Sequence, residues 1–218
     1  GDEVITTPFS FFASTEVILL LGAVPIFIDV CKDSYNMDPS LIIDAITPKT
    51  KAFLAVSLYG QCADLIAFQE IADKHQIALI EDGAQSFGAT HFNDKSGNFG
   101  EIGCTSFFPS KPLGGYGDSG ACFTNNDAHA EKLRQLLQHG QTARYQHKFI
   151  GINGRMDSLQ AAILLEKLAI FDEEVALRQK VALTYEKLLD SCVKTPTIHA
   201  DNTSVFAQYT IEVPNRTA

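Results

Sequence analysis

Short apolar runs of strand length alternate with amphipathic stretches of helix length through the first 130 or so residues, and that alternation leaves few folds open. Residues 4–7, 24–29, 51–58 and 77–81 are predicted strands. Between them, Ser10 is expected to cap a helix running to Leu21, and Asp38-Pro39 reads as a cap followed by a first-turn proline. Asp64 should open a further helix with Leu65, Phe68, Ile71 and Ala72 on one face. Strands of this length, each followed by a helix, predict an α/β domain with a mainly parallel sheet.

The pattern changes after about residue 155. Residues 157–189 contain no glycine or proline and predict one long helix, while Val205, Ala207, Tyr209, Ile211 and Val213 alternate with more polar neighbours as in a strand with one buried face. The expected organisation is a large domain over residues 1–165, followed over 166–218 by a connecting helix and the beginning of a smaller α+β domain. The first residue is not methionine and the last residues follow a strand-like run, so the chain reads as a piece of a longer protein.

Charge and cysteine usage narrow the partners. Seventeen Lys and Arg stand against 26 Asp and Glu, and the basic residues are scattered, which disfavours nucleic acid and anionic membrane surfaces but leaves room for a local phosphate pocket. Five cysteines without a C-x-x-C pair argue against a disulfide framework or zinc site and for a reducing cytoplasm. The longest apolar run, near residues 17–24, is too short to span a bilayer, and no signal-peptide pattern opens the sequence. Six histidines lack ligand spacing, so no metal is expected.

Three segments could carry chemistry. Glu81-Asp82-Gly83-Ala84-Gln85 follows a predicted strand, so its polar groups emerge at a carboxyl end, where open α/β sheets bind ligands; the plainer reading is a simple Asp-Gly turn. Lys111 stands between Pro109 and Pro112, ahead of Gly114-Gly115, with Ser106 and Ser110 as hydroxyl donors. Such apolar, stiff flanks favour a desolvated amine able to form a Schiff base, against the alternative of a surface loop lysine. Asn153 and Arg155 precede a predicted helix start, where anions bind well, and an ordinary loop capped by Asp157 is the alternative. Gly115-Tyr116-Gly117-Asp118-Ser119-Gly120 matches the dinucleotide fingerprint, but prolines precede it and a strand follows, so that reading is rejected. No G-x-S-x-G elbow supports serine hydrolysis.

In order along the chain, Gly1-Asp2-Glu3-Val4-Ile5-Thr6-Thr7-Pro8, Leu58-Tyr59-Gly60-Gln61, Glu81-Asp82-Gly83-Ala84-Gln85, residues 106–117 and Asn153 with Asp157-Ser158-Leu159-Gln160 resemble the DegT-type sugar-nucleotide aminotransferases. The resemblance implies the fold type I architecture of aspartate aminotransferase and the cofactor pyridoxal 5'-phosphate. By position it implies that Lys111 carries the cofactor, Asp82 holds its pyridinium nitrogen, Gln85 faces its ring hydroxyl, Ser106 binds its phosphate and Phe11 stacks on the ring. Asn153 resembles a residue lent to the neighbouring subunit's cofactor phosphate, which implies a homodimer. Glutamate would be the amino donor, leaving as 2-oxoglutarate, and a nucleotide-linked keto sugar the acceptor.

Residues 57–64, 104–114 and 207–210 look most like the branch that aminates C3 of UDP-2-acetamido-2-deoxy-3-oxo-glucuronate for O-antigen or capsule polysaccharide, with Arg155 facing the uronate carboxylate. Other 3- or 4-keto dTDP or UDP sugars are the alternative substrates. Two departures stand out: the family's upstream phosphate loop and much of its small domain lie outside the sequence, so the piece alone is expected to turn over little or nothing. A dehydratase relative would have histidine in place of Lys111, and a cofactor-binding regulator would carry a basic DNA-binding module; a non-catalytic fragment is the remaining alternative.

Overall fold

Residue order alone sends the chain back and forth across one sheet, and the computed structural model, which describes residues 1–189 and 191–214, shows how. Strands β1 (Glu3–Thr6), β2 (Val24–Phe27), β3 (Thr50–Val56) and β4 (Ala78–Asp82) are separated by helices α1 (Ala13–Leu20), α2 (Ile42–Ala45) and α3 (Leu65–His75). A two-stranded hairpin, β5 (Thr90–His91) with β6 (Asp94–Lys95), precedes β7 (Ile102–Ser106) and β8 (Gly120–Phe123). The six main strands lie in the order β2-β1-β3-β4-β7-β8. All neighbours run parallel except β8, which returns antiparallel to β7. The expected α/β fold with a mainly parallel sheet is therefore present.

Local chemistry fixes the helix ends. The Asp64 side chain accepts the Ala67 N–H at 3.1 Å and starts α3; Gln76, in the left-handed region at φ 55°, ends it and turns the chain into β4. Asp38 accepts the Ser40 N–H at 2.9 Å above Pro39, as its sequence position predicts. Leu65, Phe68 and Ala72 of α3 are buried with Phe53 of β3, Leu79 of β4, Ile5 of β1 and Ile42 of α2. β3 is covered on both faces, as a central parallel strand must be. Ser10 does not cap α1: Phe12 occupies the N-cap position without a side-chain bond, and the Ser10 hydroxyl lies 3.4 Å from that of Ser14 instead.

Beyond β8, α4 (Asp127–Leu136) leads to a small hairpin of β9 (Gln141–Ala143) and β10 (Gln146–His147). The long helix predicted next is two helices, α5 (Ser158–Ala169) and α6 (Phe171–Leu189), interrupted at Ile170. No helix breaker causes the interruption. It lets Phe171 turn inward to a second core cluster with Phe107, Leu113 and Leu164, its ring 5.7 Å from that of Phe87. Gly88 makes room for it, since a Cβ there would lie 2.6 Å from the Phe171 ring. The predicted strand over 205–213 is also replaced: Ser204 and Glu212 make only isolated bridges, to Gln61 and Lys194, and Phe206 at φ 44° breaks the extended run. Val205 is buried in the main core, while Ile211 and Val213 are exposed.

Phe171→Ala is expected to lower unfolding free energy by about 3–5 kcal/mol, as large-to-small core substitutions do, read from the midpoint of a urea titration. An effect below about 1 kcal/mol would mean that the second cluster does not hold α6 in place.

Candidate active site

Four parallel strands end on the same edge of the sheet, and each hands over to a segment singled out in the sequence. β1 ends at Thr6 before Phe9 and Phe11; β3 at Val56 before Tyr59; β4 at Asp82 before Gln85; β7 at Ser106 before Lys111. The chain steps outward from β1 to β2 and then returns to place β3 on the other side of β1, so a topological switch point lies between β1 and β3. Geometry of this kind gathers side chains from distant sequence positions at one carboxyl edge.

Asp82 is half-buried, and its carboxylate is oriented by two donors: the buried Ser14 hydroxyl at 2.7 Å and the Ala84 N–H at 3.1 Å. Gln85 accepts the Tyr59 N–H through Oε1 at 2.8 Å, which fixes the amide and leaves its NH2 free of described partners. Tyr59, at φ 58°, joins Phe9 and Tyr35 in an aromatic group with ring centroids 5.8 to 6.3 Å apart. Phe11 is 72% exposed, so a ring face is open to a planar partner.

Lys111 sits on a loop closed at its base. The Lys111 N–H donates to Phe108 O at 2.9 Å, and the Gly115 N–H donates to Phe107 O at 2.7 Å. Closure demands glycine at 114, because a Cβ there would lie 2.4 Å from Pro109 O and 2.8 Å from Phe108 O. From outside the loop, Gln160 Oε1 accepts the Tyr116 N–H at 2.8 Å and Lys167 donates to Gly114 O. Pro112 and Leu113 are buried and Lys111 itself is half-buried. The Ser106 hydroxyl oxygen accepts the Phe108 N–H at 3.2 Å, and its own proton remains available.

Beneath the edge lies a group the sequence did not single out. Glu81 is fully buried; its carboxylate accepts the Ser96 hydroxyl at 2.6 Å and the N–H groups of Gly97 at 2.8 Å and Phe99 at 3.4 Å. Burial pushes its carboxyl above the ordinary value of 4.5, the three donors pull it back, and Asp82 adds to the rise. Gly83 is required beside it, since a Cβ would meet Ser96 Oγ at 2.8 Å. Ser14 and Gln160 were likewise unassigned in the sequence; Ser14 lies three residues after Phe11, one turn into the region where a partner for Asp82 could be sought.

Asn153 and Arg155 lie on the segment between β10 and α5. Their segment packs on α4, with the Ile152 N–H donating to Leu136 O at 2.9 Å and the Gly154 N–H to Leu137 O at 3.0 Å. Both side chains are exposed and neither hydrogen-bonds another described residue. Arg155 borders a cavity of about 1070 Å³, together with Cys104, Cys122 and Leu137. Lys111, Asp82 and Gln85 do not line that cavity; strand topology is what groups them at one edge. No cluster of metal-ligating side chains occurs among the described residues.

Comparison with known proteins gives the arrangement a context. The profile of the DegT/DnrJ/EryC1/StrS aminotransferase family matches residues 1–218. The chain is 55% identical to the UDP-2-acetamido-2-deoxy-3-oxo-D-glucuronate aminotransferase of Pseudomonas aeruginosa, over 99% of this chain and 60% of that protein. Among solved structures, a DegT DnrJ EryC1 StrS aminotransferase from Brucella abortus superimposes with TM-score 0.93 at 43% identity, covering 99% of this chain and 60% of that one. NtdA from Bacillus subtilis with bound cofactor PMP superimposes with TM-score 0.91 at 32% identity, covering 99% and 50% respectively. The chain spans about 60% of the length of the curated relatives it matches.

A carboxyl whose folded value is raised takes up a proton on folding, so its contribution to stability falls as pH rises from about 4.5 through the raised value. The difference in unfolding free energy between wild type and Glu81→Gln should therefore shift in favour of the variant as pH rises through that window, measured by urea titrations at successive pH values. A difference independent of pH would contradict a raised Glu81.

Proposed function

The chain belongs to the DegT/DnrJ/EryC1/StrS aminotransferase family, and from that membership we propose that the whole protein moves an amino group from glutamate to a nucleotide-linked keto sugar, using pyridoxal 5'-phosphate held by Lys111. The observation that carries this reading is the delivery of Asp82, Gln85, Ser106 and Lys111 to one carboxyl edge by adjacent parallel strands.

The residues present fit the cofactor. An oriented carboxylate, an amide with its NH2 free, a hydroxyl with its proton free, an exposed aromatic ring and a half-buried amine supply one partner each for a pyridinium nitrogen, a ring hydroxyl, a phosphate, a ring face and an aldehyde. When bound, pyridoxal phosphate supplies an electron sink for the carbon that loses its proton. Asp82 favours the protonated ring nitrogen, because an anion held by Ser14 and the Ala84 N–H stabilises an adjacent cation. Lys111 Nζ, on a loop that the Gly115–Phe107 bond keeps short, carries the group at rest and takes and returns the proton during transfer.

For the acceptor, we favour the UDP-linked 3-keto-2-acetamido uronate and a role in cell-surface polysaccharide assembly. The reading is supported by 55% identity to the Pseudomonas aeruginosa enzyme of that name and by the exposed guanidinium of Arg155, which suits a carboxylate. Asn153 lies on an exposed segment and its side chain bonds no other described residue, which fits its contribution to a second copy's site in a homodimer. Among the described residues no helix is long and apolar enough to cross a membrane, and we place the reaction in the cytoplasm. The division into a cofactor domain over 1–165 and the start of a smaller domain over 166–218 belongs to the same reading.

In the full-length protein, Lys111→Ala should abolish the absorption band of the lysine-bound cofactor and any borohydride-fixed adduct, and lower turnover by about 10²–10⁴-fold from loss of the proton carrier alone. A band that survives the substitution overturns the assignment. Arg155→Ala should lower kcat/KM for a uronate acceptor by about 10- to 100-fold while sparing a neutral keto sugar. Equal losses on both substrates would remove the uronate.

A further inference from the structure

β7 and β8 are the two strands that bracket the Lys111 loop, and each carries a cysteine two residues from its neck: Cys104 before Ser106 and Cys122 after Gly120. The two are direct register partners, and their sulfur atoms lie 3.9 Å apart. Backbone bonding defines the kind of pair. Cys104 O accepts the Gly83 N–H at 2.8 Å from the β4 side, and the Phe107 N–H donates to Ser119 O at 2.8 Å across β7 and β8. Counting back by alternation, Cys104 and Cys122 form a non-hydrogen-bonded pair, in which the side chains approach most closely and the Cα atoms lie about 4.5 Å apart. That separation falls within the range of about 4.4–6.8 Å that disulfides span, so side-chain rotation suffices to close the bond.

Reactivity matches the geometry. Cys122 is exposed and both cysteines border the 1070 Å³ cavity, which gives a small oxidant access. The two thiols share one hydrogen bond, which lowers Cys122 to about 7, while that same bond and burial raise Cys104 far above its ordinary value. One member is therefore a nucleophile near neutrality and the other is poised to resolve it. The remaining cysteines have no such partner among the described residues: Cys62 is buried, Cys31 is half-buried and Cys192 is exposed with only the Ser191 hydroxyl near it.

We propose that Cys104 and Cys122 form a reversible cross-strand disulfide, a redox-sensitive site that clamps the neck of the Lys111 loop. With hydrogen peroxide as oxidant, the Cys122 thiolate attacks one peroxide oxygen and becomes a sulfenic acid, and the hydroxide set free leaves as one water after protonation. The Cys104 sulfur then displaces the hydroxyl group as a second water and the S–S bond forms; two thiols have given up two electrons and two protons to the peroxide. A dithiol returns both. Cys104 is also the register partner of Asp82, so the clamp is set between the carboxylate and the lysine loop. Its effect on turnover rests on the proposed function, whereas formation of the bond does not.

The full-length protein would be treated with hydrogen peroxide, its free thiols capped with N-ethylmaleimide, and its non-reduced digest read by mass spectrometry. The expected result is a peptide pair joined through Cys104 and Cys122, with loss of both thiols, restored by dithiothreitol and missing from Cys104→Ser and Cys122→Ser. Cys122 recovered as a sulfinic acid, or both cysteines still capped after exposed Cys192 has been oxidised, would overturn the site. Hydrogen exchange over residues 107–119 should slow on oxidation; unchanged exchange with the bond formed would overturn the clamp. Absence of transamination by the reduced protein, with the cross-link still forming on oxidation, would count against the enzyme reading alone.

Discussion

A buried carboxylate organises the edge of the sheet on which everything else is mounted. Glu81 takes three hydrogen bonds from the segment that follows the β5–β6 hairpin, and so ties residues 96–99 beneath the end of β4. Burying such a group is tolerable only with these donors in place, because an unpaired buried charge costs several kcal/mol. Its neighbour Asp82 consequently points to the other face, toward Ser14, as alternation along a strand requires. One residue holds the backbone and the next presents its carboxylate at the carboxyl edge. Gly83, with no room for a Cβ between Ser96 and Cys104 O, is a consequence of the same knot.

The parallel sheet was legible because its signals are local. Asp38 and Asp64 cap the elements they were expected to cap, and the apolar face of α3 is the one buried. The Lys111 loop was legible for a different reason: two prolines and a run of glycines have few regular structures available to them, and the structure supplies the backbone contacts that require Gly114. What failed depended on distant partners. Nothing near Ile170 announces a helix break, since its cause is the space that Gly88 leaves for Phe171 some eighty residues away in sequence. The alternation over 205–213 was a true period without a ladder to join, and only Val205 found a core. Ser14 was overlooked because a serine inside a helix says nothing of a carboxylate 68 residues downstream.

The cavity and the Lys111 edge are lined by different residues. The large hollow beside β8 and α4 holds Arg155 and the two cysteines, whereas the edge bearing Lys111 is open, with Phe11 uncovered. Hydrogen bonds within this chain orient Asp82 and Gln85 although the edge they stand on is open.

The loop that carries Lys111 returns to within one hydrogen bond of its own starting point, Gly115 N–H to Phe107 O. A lysine on an open loop of the same length would sample many positions, and binding a ligand would have to freeze them at a cost of about 1–2 kcal/mol of backbone entropy per residue. Here that ordering is completed when the chain folds and Leu113 is buried, so capture of a ligand leaves mainly the four carbons of the lysine side chain to be stilled. Under the role proposed for Lys111, affinity is therefore coupled to global stability: a substitution that loosens Leu113 or Phe171 would weaken capture without touching any atom that meets the ligand.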